Sequence, residues 1–272
     1  MKESFKRIVK GLVLTLLFVA PSSAATIVKA NNSTALNLGA SWVGGVPPTT
    51  SDIIHFDSTI NPAISVSPGA ITVTGITVTN PTGDLTINAT SSNLTIGSSG
   101  VDVSGAGSRF ILNTTVNLNA DQTWNFATGR QLLLNTGNVL NTNGHNLTIN
   151  SVSALDVRGA QSFGSNVTIT GAGGINFGFS TGTRTLSGAN TFNGLNISTG
   201  RVTGATIGNF GVTSNFGSGG TNSPIVLGGT GSDGVMEYTG STASTNRTVT
   251  RHGGSAASGI DVTTAGETLT IS

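Results

Sequence analysis

Short triplets of the form apolar–polar–apolar recur along this chain at steps of mostly about six to nine residues, and no other feature constrains its folding more. They include Ile64-Ser65-Val66, Ile71-Thr72-Val73, Ile76-Thr77-Val78, Leu85-Thr86-Ile87, Leu94-Thr95-Ile96, Val101-Asp102-Val103, Val116-Asn117-Leu118 and Trp124-Asn125-Phe126. Leu132-Leu133-Leu134, Leu147-Thr148-Ile149, Leu155-Asp156-Val157, Val167-Thr168-Ile169, Ile175-Asn176-Phe177 and Leu195-Asn196-Ile197 continue the series. Each triplet turns apolar groups to one face and Thr or Asn to the other, the period of a half-buried strand. Between triplets stand bends such as Asn80-Pro81-Thr82-Gly83, Asn143-Gly144 and Gly171-Ala172-Gly173-Gly174, rich in the two residue types that accept positive φ.

Strands this short with corners this frequent suit a coil better than a sandwich, whose strands run to five or six residues. The expected fold is all-β, a right-handed parallel β-helix. Three strands per coil of roughly 22 residues would give about eleven coils and a rod of about 50 Å at ~4.8 Å per coil. One coil cannot bury enough apolar surface to fold alone, whereas stacked coils share a continuous column and a hydrogen-bond ladder.

The N-terminus sets the compartment. Lys2, Lys6, Arg7 and Lys10 precede the apolar run from Gly11 to Ala20, and Pro21-Ser22-Ser23-Ala24-Ala25 follows. A run of about ten residues is too short to span a bilayer, which takes ~20, so residues 1–25 read as a cleaved secretory signal peptide. The expected division is the signal peptide at 1–25, an opening or capping segment at 26–60, and a solenoid from 61 to 272 with a repeat-like part at 186–272. Cleavage leaves eight basic residues against ten acidic ones, with Lys29 the only lysine and the arginines scattered. Nothing resembles a basic stripe for phosphate contacts, which argues against a nucleic-acid partner. Charged residues make up 8% of the chain and cysteine is absent, so stability must come from the column and its ladder. The expected product is a secreted or cell-surface protein, a monomeric rod with no transmembrane segment in the mature chain.

The sequence from 186 carries a resemblance. Leu186-Ser187-Gly188-Ala189-Asn190-Thr191-Phe192-Asn193-Gly194, then Ile197-Ser198-Thr199-Gly200-Arg201-Val202, resembles the signature of autotransporter-associated β-strand repeat proteins, and Tyr238-Thr239-Gly240 and Leu269-Thr270-Ile271-Ser272 extend it. Trp42, Gly45, Pro47, Asp52 and Phe56 resemble the opening of such chains. The resemblance implies an exported passenger or stalk in which Gly188 and Gly194 are corner residues and Phe192 a core or stacking residue. It supplies no catalytic residue. The pattern is expected to continue beyond Ser272.

Chemistry is thin. Gly228-Gly229-Thr230-Gly231-Ser232-Asp233-Gly234-Val235-Met236 matches the nonapeptide of calcium-binding β-rolls, but that calcium sits between tandem copies and here one copy stands alone, so a Gly-rich corner is expected. Polysaccharide lyases and hydrolases share the expected fold and need paired acids, or a calcium cluster with a base, on adjacent coils. Asp84, Asp102, Asp121 and Asp156 stand singly, with Asp102 and Asp121 separated by nineteen residues, near one coil. His55, His145 and His252 lack metal-ligand spacing. Trp42 and Trp124 could stack on sugar rings, yet the alternation around Trp124 favours the core. The expectation is therefore a non-enzymatic structural or adhesive stalk without cofactor, metal or catalytic residues, with extracellular glycans or a host or neighbouring cell surface as partner. The alternative is a carbohydrate-binding or polysaccharide-degrading β-helix.

Overall fold

The computed structural model describes residues 24–61, 63–88, 92–126, 140–151, 155–159, 161–220, 223–252 and 257–272, together with the backbone of 132–134. The expected signal peptide lies outside them apart from Ala24 and Ala25. Every paired strand in the named sheets is parallel to its neighbours, and the described residues form a three-sided β-solenoid of nine rungs. Among the described residues there is no α-helix; one 3-10 turn spans Gly39–Ser41.

One side is built from Ile64–Val66, Leu85–Asn88, Phe110–Asn113, Leu132–Leu134, Leu155–Val157, Ile175–Phe177, Leu195–Ile197, Ile225–Leu227 and Val249–Arg251, hydrogen-bonded in chain order. A second side stacks Thr26–Val28, Ile53–Phe56, the latter part of Ile71–Thr79, the latter part of Leu94–Gly105, Gln122–Phe126, Leu147–Ser151 and Val167–Thr170. Ile71–Val73, Leu94–Ile96, Val116–Leu118 and Leu140–Asn141 begin the third side. A parallel bridge from Phe163 to Leu186 leads it into the sheet Thr183–Thr185, Gly200–Gly204, Gly234–Tyr238 and Gly259–Val262.

The triplets become strands because each places two aliphatic groups inward. Ile54, Ile76, Val101, Trp124, Ile149 and Ile169 stand in register, all essentially without exposed surface. On the other two sides outward residues form polar ladders: Asn113 Nδ2 donates to Asn88 Oδ1 at 2.7 Å, and Asn141 Nδ2 to Asn117 Oδ1 at 2.9 Å. Asn80 and Asn143, read from sequence as bends, have φ of 57° and 52°. Gly100 has no substitute at its corner, since its φ is 64° and a Cβ would lie 2.1 Å from the Thr123 carbonyl oxygen.

Nine rungs, about 40 Å at ~4.8 Å each, replace the eleven expected. Leu155 pairs with Ile175, twenty residues on, and Leu85 with Phe110, twenty-five on, close to the expected coil. Leu195, however, pairs with Ile225, thirty residues on. The extra chain folds back over the corner after Gly204, where Phe216 is fully buried. Asn215 Oδ1 accepts from Ala205 N and Thr206 N at 2.9 Å, and Asn215 Nδ2 donates to Gly188 O at 3.0 Å. The opening segment also consumes residues without adding a full rung; it lays Leu36 and Trp42 over the column, with Trp42 Nε1 donating to Leu36 O at 2.8 Å.

Candidate functional site

The acids singled out from sequence are dispersed and occupied. Asp84 receives Arg109, whose Nε donates at 2.9 Å, and the guanidinium beside it holds its carboxyl below the ordinary range. Asp102 accepts from Ser104 N and Oγ at 2.9 and 2.5 Å. Asp121 accepts from Asn146 N and Nδ2 at 2.9 and 2.8 Å, with His145 Nδ1 at 3.6 Å; the Asn146 bonds lower its pKa. Asp102 and Asp121 do not meet, because Asp102 is in register with Asn125, four residues past Asp121, or ~13 Å along the strand. Asp156 is buried, accepting from Asn176 Nδ2 at 2.6 Å with Arg158 Nη2 at 3.5 Å.

His55 lies in a second-side strand, His145 in the bend before Leu147, and His252 after a first-side strand. Among the described residues, no three His, Asp or Glu side chains gather as metal ligands. Both tryptophans are buried: Trp124 fully, its Nε1 donating to Gln122 Oε1 at 2.8 Å, and Trp42 nearly so. Phe192 is buried, and a Cβ on Gly188 would strike the Val167 carbonyl. The nonapeptide match is a corner, with Gly228 and Gly231 at positive φ and an antiparallel bridge from Gly229 to Ser232. The Asp233 carboxylate accepts from Ala257 N of the following rung at 3.0 Å.

That corner borders a constellation the spacing of residues did not reveal. Thr203, Glu237 and Asp261 stand in register on three successive rungs of the third side. Arg201 reaches Asp261 at 2.6 Å and Glu237 at 3.6 Å, and Thr203 Oγ1 donates to Glu237 Oε2 at 2.6 Å. Beside them runs a groove of about 490 Å³ lined by Thr181, Thr183, Thr199, Arg201, Ser232 and Asp233, among others. Two residues before Thr181, outside the groove's own lining, Phe179 is 69% exposed and carries the Arg158 guanidinium 4.5 Å from its ring centroid.

Two of the arginines scattered along the sequence are fully buried. Arg184 faces inward in register with Val202 and Met236, donates from Nη2 to the carbonyls of Thr199 and Ser180, and lies over the Phe177 ring. Arg247 Nη1 donates to Phe216 O at 2.5 Å. Burial lowers both pKa values to about 10. Through these carbonyls the two cations fasten corners to the column.

No family model, curated protein or solved structure matches this chain. Among the described residues, no helix is long and apolar enough to cross a membrane.

Proposed function

We propose that this chain is an exported, non-enzymatic stalk of the cell surface, a rigid rod whose work is mechanical or adhesive. One observation carries the reading: each of the ten carboxylates between residues 24 and 272 is already engaged by a backbone amide, hydroxyl, side-chain amide or arginine of this chain. Most of these bonds join one rung to the next, as from Asn146 to Asp121 and from Ala257 to Asp233, so the acids serve as rivets. Carboxylates tied into the fold in this way favour a structural role over general acid–base chemistry. The leader-like N-terminus and the resemblance of 186–272 to autotransporter-associated repeats support export and a passenger role, and the nine-rung column supports rigidity without disulfides.

The rival is a polysaccharide-active β-helix. Its strongest acid pair is Glu237 with Asp261, which Arg201 and Thr203 occupy. Purified protein should leave polygalacturonate, alginate, xylan and glucan uncleaved. Cleavage that Glu237→Gln or Asp261→Asn removes, with the fold intact by circular dichroism, would sink the stalk reading.

A further inference from the structure

We propose that the corner at Phe179 and the groove beside it form a subsite for a neutral, hydroxyl-rich oligosaccharide, with Phe179 as the stacking platform. The inference begins with a backbone anomaly. Phe179 has φ of 58°, a conformation that crowds the Cβ of any L-residue and is an outlier for a bulky one. Most of the chain's positive-φ corners use Gly, and Phe179 is the only aromatic residue among the described positions of this kind. A strained aromatic that is also 69% exposed gains little from packing, so the core does not account for its presence.

Its surroundings fix the ring's orientation. Asn176 Nδ2 donates to Asp156 Oδ1 at 2.6 Å, the other oxygen of Asp156 faces Arg158 Nη2 at 3.5 Å, and the Arg158 guanidinium lies over the Phe179 ring. Asp156 is buried in this relay, so the platform stands on a fixed base. An exposed aromatic ring held in one orientation offers its face to the C–H groups of a sugar, an apolar body with a polar rim.

The groove supplies the rim. Thr181 and Thr183 follow Phe179 on the same rung, Thr199 stands on the next rung at the same corner, and Ser232 and Asp233 close the far side. The hydroxyls can donate to and accept from sugar hydroxyls, and the carboxylate accepts from them. Charge decides the class of sugar. Among the described residues Arg201 is the cation lining the groove and is held by Glu237 and Asp261, Arg158 beside Phe179 faces Asp156, and Asp233 adds a further negative charge. The excess of carboxylates disfavours uronic-acid polymers and fits neutral ones. The stalk reading does not depend on this subsite and holds whether or not a sugar binds.

The test is calorimetric titration of the full chain with cellohexaose, chitohexaose and xylohexaose, and with polygalacturonate as the acidic probe. Wild type should bind at least one neutral oligosaccharide. Phe179→Gly should weaken that binding about tenfold or more while melting at the same or a higher temperature, because glycine relieves the strained φ. Phe179→Trp should retain binding, which separates loss of the ring from damage to the corner. Wild type silent toward all three neutral probes, equal affinity in Phe179→Gly, or a preference for polygalacturonate would overturn the proposal.

Discussion

Replacing Trp124 with phenylalanine tests how the column is held, and its cost follows from the contacts around the indole. Trp124 has no exposed surface and sits in register between Val101 and Ile149. Its Nε1 donates to Gln122 Oε1, and Gln122 Nε2 passes the network on to the carbonyls of Ile96 and Ala120 at 3.0 and 3.2 Å. Phenylalanine removes the donor and strands the Gln122 oxygen, which costs about 1–3 kcal/mol. The smaller ring leaves a cavity of a few tens of Å³, adding about 1 kcal/mol at ~24 cal/mol per Å³. Trp124→Phe should therefore lose about 2–4 kcal/mol in urea unfolding followed by far-ultraviolet circular dichroism, with the slope unchanged. Adding Gln122→Met removes the stranded oxygen. The double variant should lose at least about 1 kcal/mol less than the sum of the two single losses, the coupling expected of directly bonded side chains. Additive losses, or a near-neutral Trp124→Phe, would refute the argument that a buried polar pair is built into the column.

Other expectations follow from single sites. Lys29 is buried, and desolvation lowers its pKa from 10.5 to about 8. The penalty for its charge is complete below pH 8 and fades as the pH approaches 10.5, where the unfolded amine also loses its proton. Stability relative to Lys29→Met should thus rise by up to about 3 kcal/mol between those values in chemical melts; a flat difference would contradict it. Gly100→Ala should destabilise by at least about 2 kcal/mol, since φ and the Thr123 carbonyl both oppose a Cβ, and a neutral melt would count against the rung geometry. Asp84→Asn should cost under about 1 kcal/mol, and less in high salt, because its Arg109 bridge is partly exposed.

The strands were legible because period-two patterning is local: Ile76-Thr77-Val78 states its own inward and outward faces. Burial of Trp124 could be read for the same reason. What the sequence hides is whatever depends on register between rungs. Glu237 and Asp261 are twenty-four residues apart and look unrelated until Met236 is seen to pair with Ile260. In Thr183-Arg184-Thr185 the alternation set by Leu186 turns Arg184 inward among apolar groups, a burial that scattered arginines do not announce. The stretch after Gly204 is one long excursion closed by Asn215, so dividing the chain by a fixed coil length overestimated the rungs. Phe179 carries no signal of its own, because neither positive φ nor exposure is encoded by residue type at a bend.

The thirty-residue rung shows how such a rod accommodates novelty. Leu195 and Ile225 pair as closely as strands joined by twenty residues, so the excursion after Gly204 leaves the pitch undisturbed. Loop closure grows dearer only slowly, by ~0.6 kcal/mol for each doubling of length. A mutation that inserts residues at such a bend therefore creates a protrusion without shifting anything above or below it. Chains of this type can diversify their outer contour one bend at a time while the interior goes on templating itself.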